Sequence, residues 1–174
     1  MARPARTSRP PPVAFLRHRP VAWVLGPRAW VVYPAHETTP VVQERFGLLA
    51  EAASQVANVR VRNVATAGGA VAYGEPQTDT PTALTALGAT VRVAGPESER
   101  GVPIEEFYLG PYETVLAPDE LVVGIDVANP GQGTAGCHAK FTIGSPENKP
   151  VANASVLVGI DQATERCTSA RIAM

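Results

Sequence analysis

The chain has 174 residues and a formal net charge of −1, a length that suits one ordinary domain or two small lobes. Residues 41–174 carry nine basic and fifteen acidic side chains, a balance that disfavours nucleic-acid binding outside a short basic N-terminal tail. No run reaches the ~18 apolar residues of a membrane helix, because Pro27 and Arg28 break the best candidate, 21–32.

Residues 1–40 hold eight of the seventeen prolines, and six arginines precede the first acid, Glu37. This composition predicts a disordered segment. An arginine-rich, acid-poor sequence also fits a transit peptide, although the prolines at 10–12 oppose the amphipathic helix that such a peptide needs. A third interpretation is that the segment is not native coding sequence.

Apolar residues from Val42 to Val56 recur every three or four positions, which predicts an amphipathic helix ending near Asn58. The alternation at residues 60–62 then indicates a short strand. Thr80 and Pro81 are typical of the first residues of a second, short helix, which the glycine at 88 ends.

Residues 90–93 and 102–104 flank a polar turn and predict a hairpin, and residues 120–127 predict a buried, β-branched strand. A glycine-rich linker at 129–136 precedes three further strands, at 138–143, 152–160 and 168–173. This order predicts an α+β architecture in two lobes, 41–128 and 134–174.

The histidines His18, His36 and His138 are isolated and are interpreted as surface or packing residues. Cys137 and Cys167 lack metal-site spacing, which is typical of a reduced cytoplasmic protein, and both are expected to be buried small hydrophobes. No metal site and no catalytic residue is predicted. If the protein catalyses a reaction, we therefore expect a bound cofactor to supply the chemistry.

Residues 61–70 read VRNVATAGGA, and Asp79 follows nine residues later. Paired glycines allow backbone N–H groups to approach an anion, Thr66 adds a hydroxyl, and Asp79 can accept hydrogen bonds from ribose hydroxyls. The constellation suits a dinucleotide. A plain turn followed by a helix cap would produce the same pattern.

Further landmarks follow that motif in a characteristic order along the chain. They are Leu87–Ala89, Phe107–Pro111, Pro118–Val122, Lys140–Thr142, Ser145–Pro150 and Ala170–Ala173. Over residues 46–174 the chain resembles the FAD-binding (medium) subunit of molybdenum hydroxylases of the xanthine dehydrogenase and carbon monoxide dehydrogenase type. The resemblance implies the second lobe of a PCMH/VAO-type FAD-binding domain in 41–128 and the start of a carbon monoxide dehydrogenase flavoprotein C-terminal lobe in 134–174.

The resemblance also implies roles for individual residues. The diphosphate of FAD would be contacted by Thr66, Ala67, Gly68 and Gly69. Asp79 would face the ribityl or adenosine part, Leu121 and Val122 would pack near the isoalloxazine, and Lys140 would approach the flavin. The alternatives are that Leu121 and Val122 are ordinary core residues and that Lys140 is a solvated strand-end charge.

The sequence departs from the family pattern in three places. Ala70 stands where the family has asparagine, so one polar flavin contact is expected to be absent. The family's first Ala-Gly-Gly loop has no counterpart in residues 1–45, and the C-terminal lobe stops at Met174.

The leading hypothesis is an oxidoreductase subunit that passes electrons from iron–sulfur clusters on a partner subunit through FAD to an external acceptor. Its expected partners are a large molybdenum-cofactor subunit and a small iron–sulfur subunit, in the cytoplasm, with neither nucleic acid nor membrane. The rival hypothesis is a truncated or frame-shifted fragment, or a docking module, that does not bind FAD by itself.

Overall fold

A computed structural model of the chain describes residues 22–25 and 33–174. The helices are α1 Tyr33–Thr38, α2 Pro40–Arg45, α3 Gly47–Ser54, α4 Val59–Arg62, α5 Ala67–Tyr73 and α6 Asp79–Ala86. The strands are β1 Ala22–Leu25, β2 Thr90–Ala94, β3 Glu99–Pro103, β4 Tyr108–Gly110, β5 Glu113–Thr114, β6 Leu121–Ala128, β7 Thr134–Phe141, β8 Ala152–Asp161 and β9 Arg166–Ala173. The predicted α+β class is confirmed. In the part of the chain described, no helix has the length and hydropathy to cross a membrane.

The helix predicted from Val42 to near Asn58 is present as two helices, and the second ends at Ser54, earlier than predicted. Phe46, with φ −130° and ψ 45°, leaves the helical region and separates α2 from α3. The side chains of Val42, Phe46 and Leu49 are nevertheless buried, as their spacing predicts. The apolar period therefore identified the buried face correctly but not the break between the helices.

The prediction of a strand at residues 60–62 is wrong, because these residues lie in α4. Asn58 precedes the helix, and its Oδ1 accepts hydrogen bonds from the backbone N–H groups of Arg60 at 3.0 Å and Val61 at 3.2 Å. This cap satisfies amides that an isolated turn would leave to water. The cap outweighs the alternation of polar and apolar residues at 60–62, because alternation over three positions is a weak signal.

Helix α6 begins at Asp79, one residue before the predicted cap Thr80, and Thr78 is the capping residue. Its predicted end is confirmed: the helix stops before Gly88, whose φ of 65° is in the left-handed region that favours glycine. Asp79 consequently lies in the first turn, where a carboxylate interacts favourably with the helix dipole.

The first sheet is antiparallel with strand order β1-β6-β2-β3. The predicted hairpin is confirmed as β2 and β3, and the strand predicted at 120–127 as β6, which is buried only at Gly124, Ile125 and Val127. Strand β1 and the whole of α1 lie within residues 1–40, so the prediction of disorder does not describe those two segments. The remainder of that prediction, and His18, lie outside the described residues.

The second sheet, β7-β8-β9, is an antiparallel meander and confirms the three predicted C-terminal strands. Strand β7 begins at Thr134, four residues earlier than predicted, so the linker is correspondingly shorter. Cys137 and Cys167 are both exposed, and the prediction that they are buried is wrong. Cys137 alternates with the buried His138 and therefore faces the opposite side of the sheet, away from the helices.

Helices α3, α5 and α6 supply the residues that join the two sheets into one core. Leu84, Val91, Val93 and Phe107 have essentially no solvent exposure. The same apolar cluster extends to Ala173 at the end of β9, with Leu157 of β8 packed against it. The core is thus continuous across residues 129–133, and the division into lobes 41–128 and 134–174 stays a prediction.

Candidate functional site

An open cavity of about 460 Å³ lies between the α4–α5 region and the loop that follows β7. This volume falls within the range of about 300–1,000 Å³ typical of small-molecule and cofactor sites. One wall is apolar and includes Val56, Val61 and Val64. The facing wall carries polar groups from α6, β7 and residues 147–150, so apolar and charged surfaces meet in one cleft.

Helix α5 begins at the cavity because Thr66 caps it. The Thr66 Oγ1 accepts a hydrogen bond from the Gly69 N–H at 3.0 Å. The glycine pair is therefore the first turn of a helix. Thr66, Gly69 and Ala70 line the cavity, whereas Ala67 and Gly68 are buried and do not line it.

Asp79 and Lys140 form a buried ion pair at the edge of the same cavity. The Lys140 Nζ donates to Asp79 Oδ2 at 3.0 Å and to the Gln55 carbonyl oxygen at 2.7 Å. The Lys140 side chain is only 5% exposed, so the alternative of a solvated strand-end charge is wrong. Both residues line the cavity. Neither charge stands alone, as buried charges require.

His138 is also buried against Asp79, with its Nε2 3.2 Å from Asp79 Oδ1 and its Nδ1 2.8 Å from Ser155 Oγ. The prediction of a packing residue describes its burial but misses this network. His138 and Lys140 are two residues apart on a strand and must share a face, which was readable from the sequence. Asp79, already a predicted site residue, is far away in the chain, and no local signal indicated that it pairs with these two side chains.

A second charged cluster lies at the rim of the cavity. Lys149 Nζ donates to Glu75 Oε2 at 2.5 Å, and Tyr112 also donates to this carboxylate. The hydrogen bond from Lys149, followed by that from Tyr112, lowers the pKa of Glu75 below its ordinary value of 4.5. Glu75 in turn raises the pKa of Lys149. Tyr73 packs edge-on against Tyr112, with ring centroids 5.2 Å apart.

This cluster predicts acid sensitivity that the Glu75→Gln variant should lack. Because the folded-state pKa of Glu75 is depressed, its stabilisation is fully present above the unfolded value near 4.5 and is lost as the pH falls through the folded value. Lys149 is mostly exposed, so the contribution should stay below about 1 kcal/mol, or about 2–4 °C in Tm.

The measurement is Tm against pH for wild type, Glu75→Gln and Lys149→Gln. Below pH 4.5 the wild type should lose more stability than either variant. Parallel curves for all three proteins would show that the pair does not contribute to acid sensitivity.

Leu121 and Val122 begin β6, and neither lines the cavity. Leu121 is exposed and pairs with Ala94, while Val122 packs against the core. The structure brings five of the predicted residues together at the cavity: Thr66, Gly69, Ala70, Asp79 and Lys140. Within residues 22–25 and 33–174, no group of three or more His, Cys, Asp or Glu side chains could hold a metal ion.

The cavity fits a ligand that has both an apolar ring system and a charged group. Lys140 and Lys149 place two cations along it, and the valine wall offers apolar contact. At position 69 a Cβ atom would lie 2.9 Å from Thr66 Oγ1, so glycine keeps this part of the lining open. These features suit FAD, which supplies redox chemistry when bound, while the chain supplies binding and orientation.

Comparison with known proteins supports this fit. The family model for the FAD binding domain in molybdopterin dehydrogenase matches residues 29–130. The chain is 42% identical over 104 residues to the carbon monoxide dehydrogenase medium chain of Hydrogenophaga pseudoflava, covering 60% of this chain and 36% of that protein. It is 29% identical over 136 residues to the nicotine 6-hydroxylase medium subunit of Paenarthrobacter nicotinovorans, covering 78% and 46%.

Solved structures show the same fold. The carbon monoxide dehydrogenase from Hydrogenophaga pseudoflava that lacks the Mo-pyranopterin moiety aligns with a TM-score of 0.84 and 31% identity. That alignment covers 92% of this chain and 54% of the other. Reconstituted CO dehydrogenase from Oligotropha carboxidovorans aligns with a TM-score of 0.83 and 25% identity. The chain spans about half, or less, of the length of the relatives it matches.

The fold and the cavity define a FAD-binding domain, and its relatives are subunits of oxidoreductases. More specifically, the chain belongs to the family of FAD binding domains in molybdopterin dehydrogenases. The resemblance to the flavin subunits of this family is thereby confirmed, and FAD is the cofactor of the domain. The rival hypothesis of a non-catalytic fragment is not favoured by these matches.

Proposed function

We propose that this chain forms part of the flavin site of a molybdenum hydroxylase medium subunit in the cytoplasm. In this role it passes electrons from iron–sulfur clusters on a small partner subunit, through FAD, to an external acceptor. A large subunit with the molybdenum cofactor carries out the hydroxylation. Two relatives named above are medium chains or subunits, which supports an assembly of this kind.

One observation carries the proposal: the residues of the glycine motif and the distant Asp79–Lys140 pair converge on a single cavity. Thr66 and Gly69 lie more than 70 positions before Lys140 in the chain, yet the fold places them around one cleft. A motif that served only as a turn and a helix cap would not need a buried cation opposite it.

Each residue has a proposed role in binding FAD. Thr66 and the Gly69 backbone contact the diphosphate, while the Asp79 carboxylate faces the ribityl or adenosine hydroxyls. The Lys140 ammonium places a positive charge near the flavin, which favours its reduced, anionic form. Four further residues with proposed contacts to FAD lie outside the cavity lining. Ala67 and Gly68 are proposed to contact the diphosphate, and Leu121 and Val122 to pack near the isoalloxazine.

The flavin spectrum after desalting tests the proposal. Wild type loaded with FAD should keep visible flavin bands. Ala70→Asn should raise FAD affinity by about 2–10-fold, because one recovered hydrogen bond contributes about 0.5–1.5 kcal/mol. Gly69→Ala should weaken binding, since the added methyl pushes the Thr66 hydroxyl off its bond to the Gly69 N–H.

Gly47→Ala is the matched control, because a Cβ atom there meets nothing within 4 Å. Its FAD affinity should equal that of wild type. A wild-type chain without flavin bands would contradict the proposal, as would equal affinities for all four proteins.

The proposed assembly has a separate test. Co-expression with a large molybdenum-cofactor subunit and a small iron–sulfur subunit of this family from the same organism should give a complex that co-purifies. Failure to co-purify would remove the proposed partners and leave the flavin site unaffected.

A further inference from the structure

A buried polar chain runs from α6 into the second sheet, behind the cavity. It connects Asp79 Oδ1, both ring nitrogens of His138 and the hydroxyl of Ser155. The order Asp–His–Ser matches that of hydrolase triads. Ser155 is, however, fully buried, and neither it nor His138 lines the cavity. A nucleophile must reach its substrate, so this chain of hydrogen bonds serves another purpose.

The hydrogen bonds place one proton of the His138 ring. The Asp79 carboxylate only accepts, so the Nε2–H donates to it, and Nδ1 pairs with the Ser155 hydroxyl. Both ring nitrogens are satisfied in this arrangement. Lys140 and Asp79 balance each other's charge.

Helix α3 holds the backbone of His138 from the other side. The His138 N–H donates to Glu51 Oε2 at 2.9 Å, and its carbonyl oxygen accepts from Gln55 Nε2 at 3.3 Å. The ring is therefore positioned by α3 through the backbone, by α6 through Asp79 and by β8 through Ser155. Few degrees of freedom remain to the imidazole.

The Lys140 ammonium has three N–H donors. Two of them go to the Gln55 carbonyl and to Asp79 Oδ2. The third has no acceptor among the residues that the structure describes, and Lys140 lines the cavity. The direction of that third N–H depends on where Asp79 holds the ammonium, and thus on the groups that hold Asp79.

We propose that His138 and Ser155 are positioning residues, which fix the Asp79 carboxylate so that Lys140 presents one N–H to the ligand in the cavity. This inference rests on the proposed flavin site and adds two residues that contact no part of the ligand. They act through Asp79 and Lys140, not through the reacting atoms.

The lysine content of the chain provides a direct test, because Lys140 and Lys149 are its only two lysines. The Lys149 side chain is 63% exposed and serves as an internal reference for the buried Lys140. An amine-reactive succinimidyl ester, followed by peptide mass spectrometry, measures the labelling ratio of the two lysines. His138→Leu should raise the Lys140 share roughly fivefold, since about one hydrogen bond that holds Asp79 is lost.

Three variants separate positioning from general stability. His138→Gln keeps an amide donor for Asp79 and should restore the wild-type ratio, whereas Ser155→Ala should raise it as His138→Leu does. Val93→Ala creates a cavity in β2, away from the network, and should lower Tm without changing the ratio. An unchanged ratio in His138→Leu, or an equal rise in Val93→Ala, would overturn the inference.

The flavin provides a second readout. In the FAD-loaded chain, His138→Leu should shift the visible spectrum and the midpoint potential of the flavin, and His138→Gln should reverse both shifts. A wild-type chain that retains no FAD would contradict the proposed function. An unchanged labelling ratio or an unchanged potential in His138→Leu would contradict the positioning role and leave the proposed function standing.

Discussion

Replacement of Asp79 by alanine is expected to lower the free energy of unfolding by about 3–5 kcal/mol, the usual loss when one partner of a buried ion pair is removed. The Lys140 ammonium would remain 5% exposed without its counter-ion, and the His138 Nε2–H would lose its acceptor. A domain of this size has only about 5–15 kcal/mol of stability in total. The variant should therefore be marginally folded at best.

Removal of both charges should be less harmful than removal of one. Lys140→Met replaces the ammonium with an apolar side chain of similar length, so the double variant Asp79→Ala/Lys140→Met should recover part of the lost stability. Urea unfolding of the wild type, both single variants and the double variant gives the coupling energy.

The exposed pair Arg171–Glu105 is the matched control. Arg171→Ala should cost less than about 1 kcal/mol, since both partners are solvated and screened. Additive losses in the Asp79–Lys140 cycle would show that burial does not distinguish the two pairs. A loss for Arg171→Ala as large as that for Asp79→Ala would show the same.

Phe107→Ala is expected to cost about 3–5 kcal/mol, the range for large-to-small substitutions in a packed core. The Phe107 side chain has no solvent exposure and packs edge-on against Tyr108, with ring centroids 5.3 Å apart. Its carbonyl oxygen accepts from the Val115 N–H at 3.0 Å and ties down the segment that carries Tyr112. A loosened segment should also weaken the contact of Tyr112 with Glu75 at the cavity rim.

Leu109→Ala is the control, because Leu109 lies two residues further on and is 67% exposed. Its effect should remain within about 0.5 kcal/mol. Urea unfolding measures both variants, and similar losses for Phe107→Ala and Leu109→Ala would contradict the placement of Phe107 in the core.

Much of the fold was predictable from short-range patterns. The β2–β3 hairpin, β6 and the three strands of the second sheet follow from apolar alternation between turn residues, which acts over a few positions. Errors arose where the conformation or capping of a single residue decided the local structure. Asn58 caps α4 where alternation suggested a strand, and Phe46 divides one predicted helix into two.

The candidate site was predictable only in part. Thr66, Gly69 and Ala70 were identified from a local motif and Asp79 from its spacing to that motif, whereas Lys140 was identified from a resemblance that carries information about distant contacts. The polar network behind them was missed. Ser155, fully buried on β8, has nothing in its flanking sequence that distinguishes it from a solvent-facing strand residue.

By itself, the sequence determined the spacing of apolar residues along the helices and strands, the excess of acidic side chains in residues 41–174, and the motif that begins α5. These features depend only on composition and on neighbouring residues. Tertiary structure alone decided that Lys140 is buried, that Cys137 and Cys167 are exposed, and that Asp79 contacts β7. Burial and ion pairing depend on which surfaces meet when α6 packs against the second sheet. That contact joins residues about sixty positions apart, a separation over which local propensity carries no information.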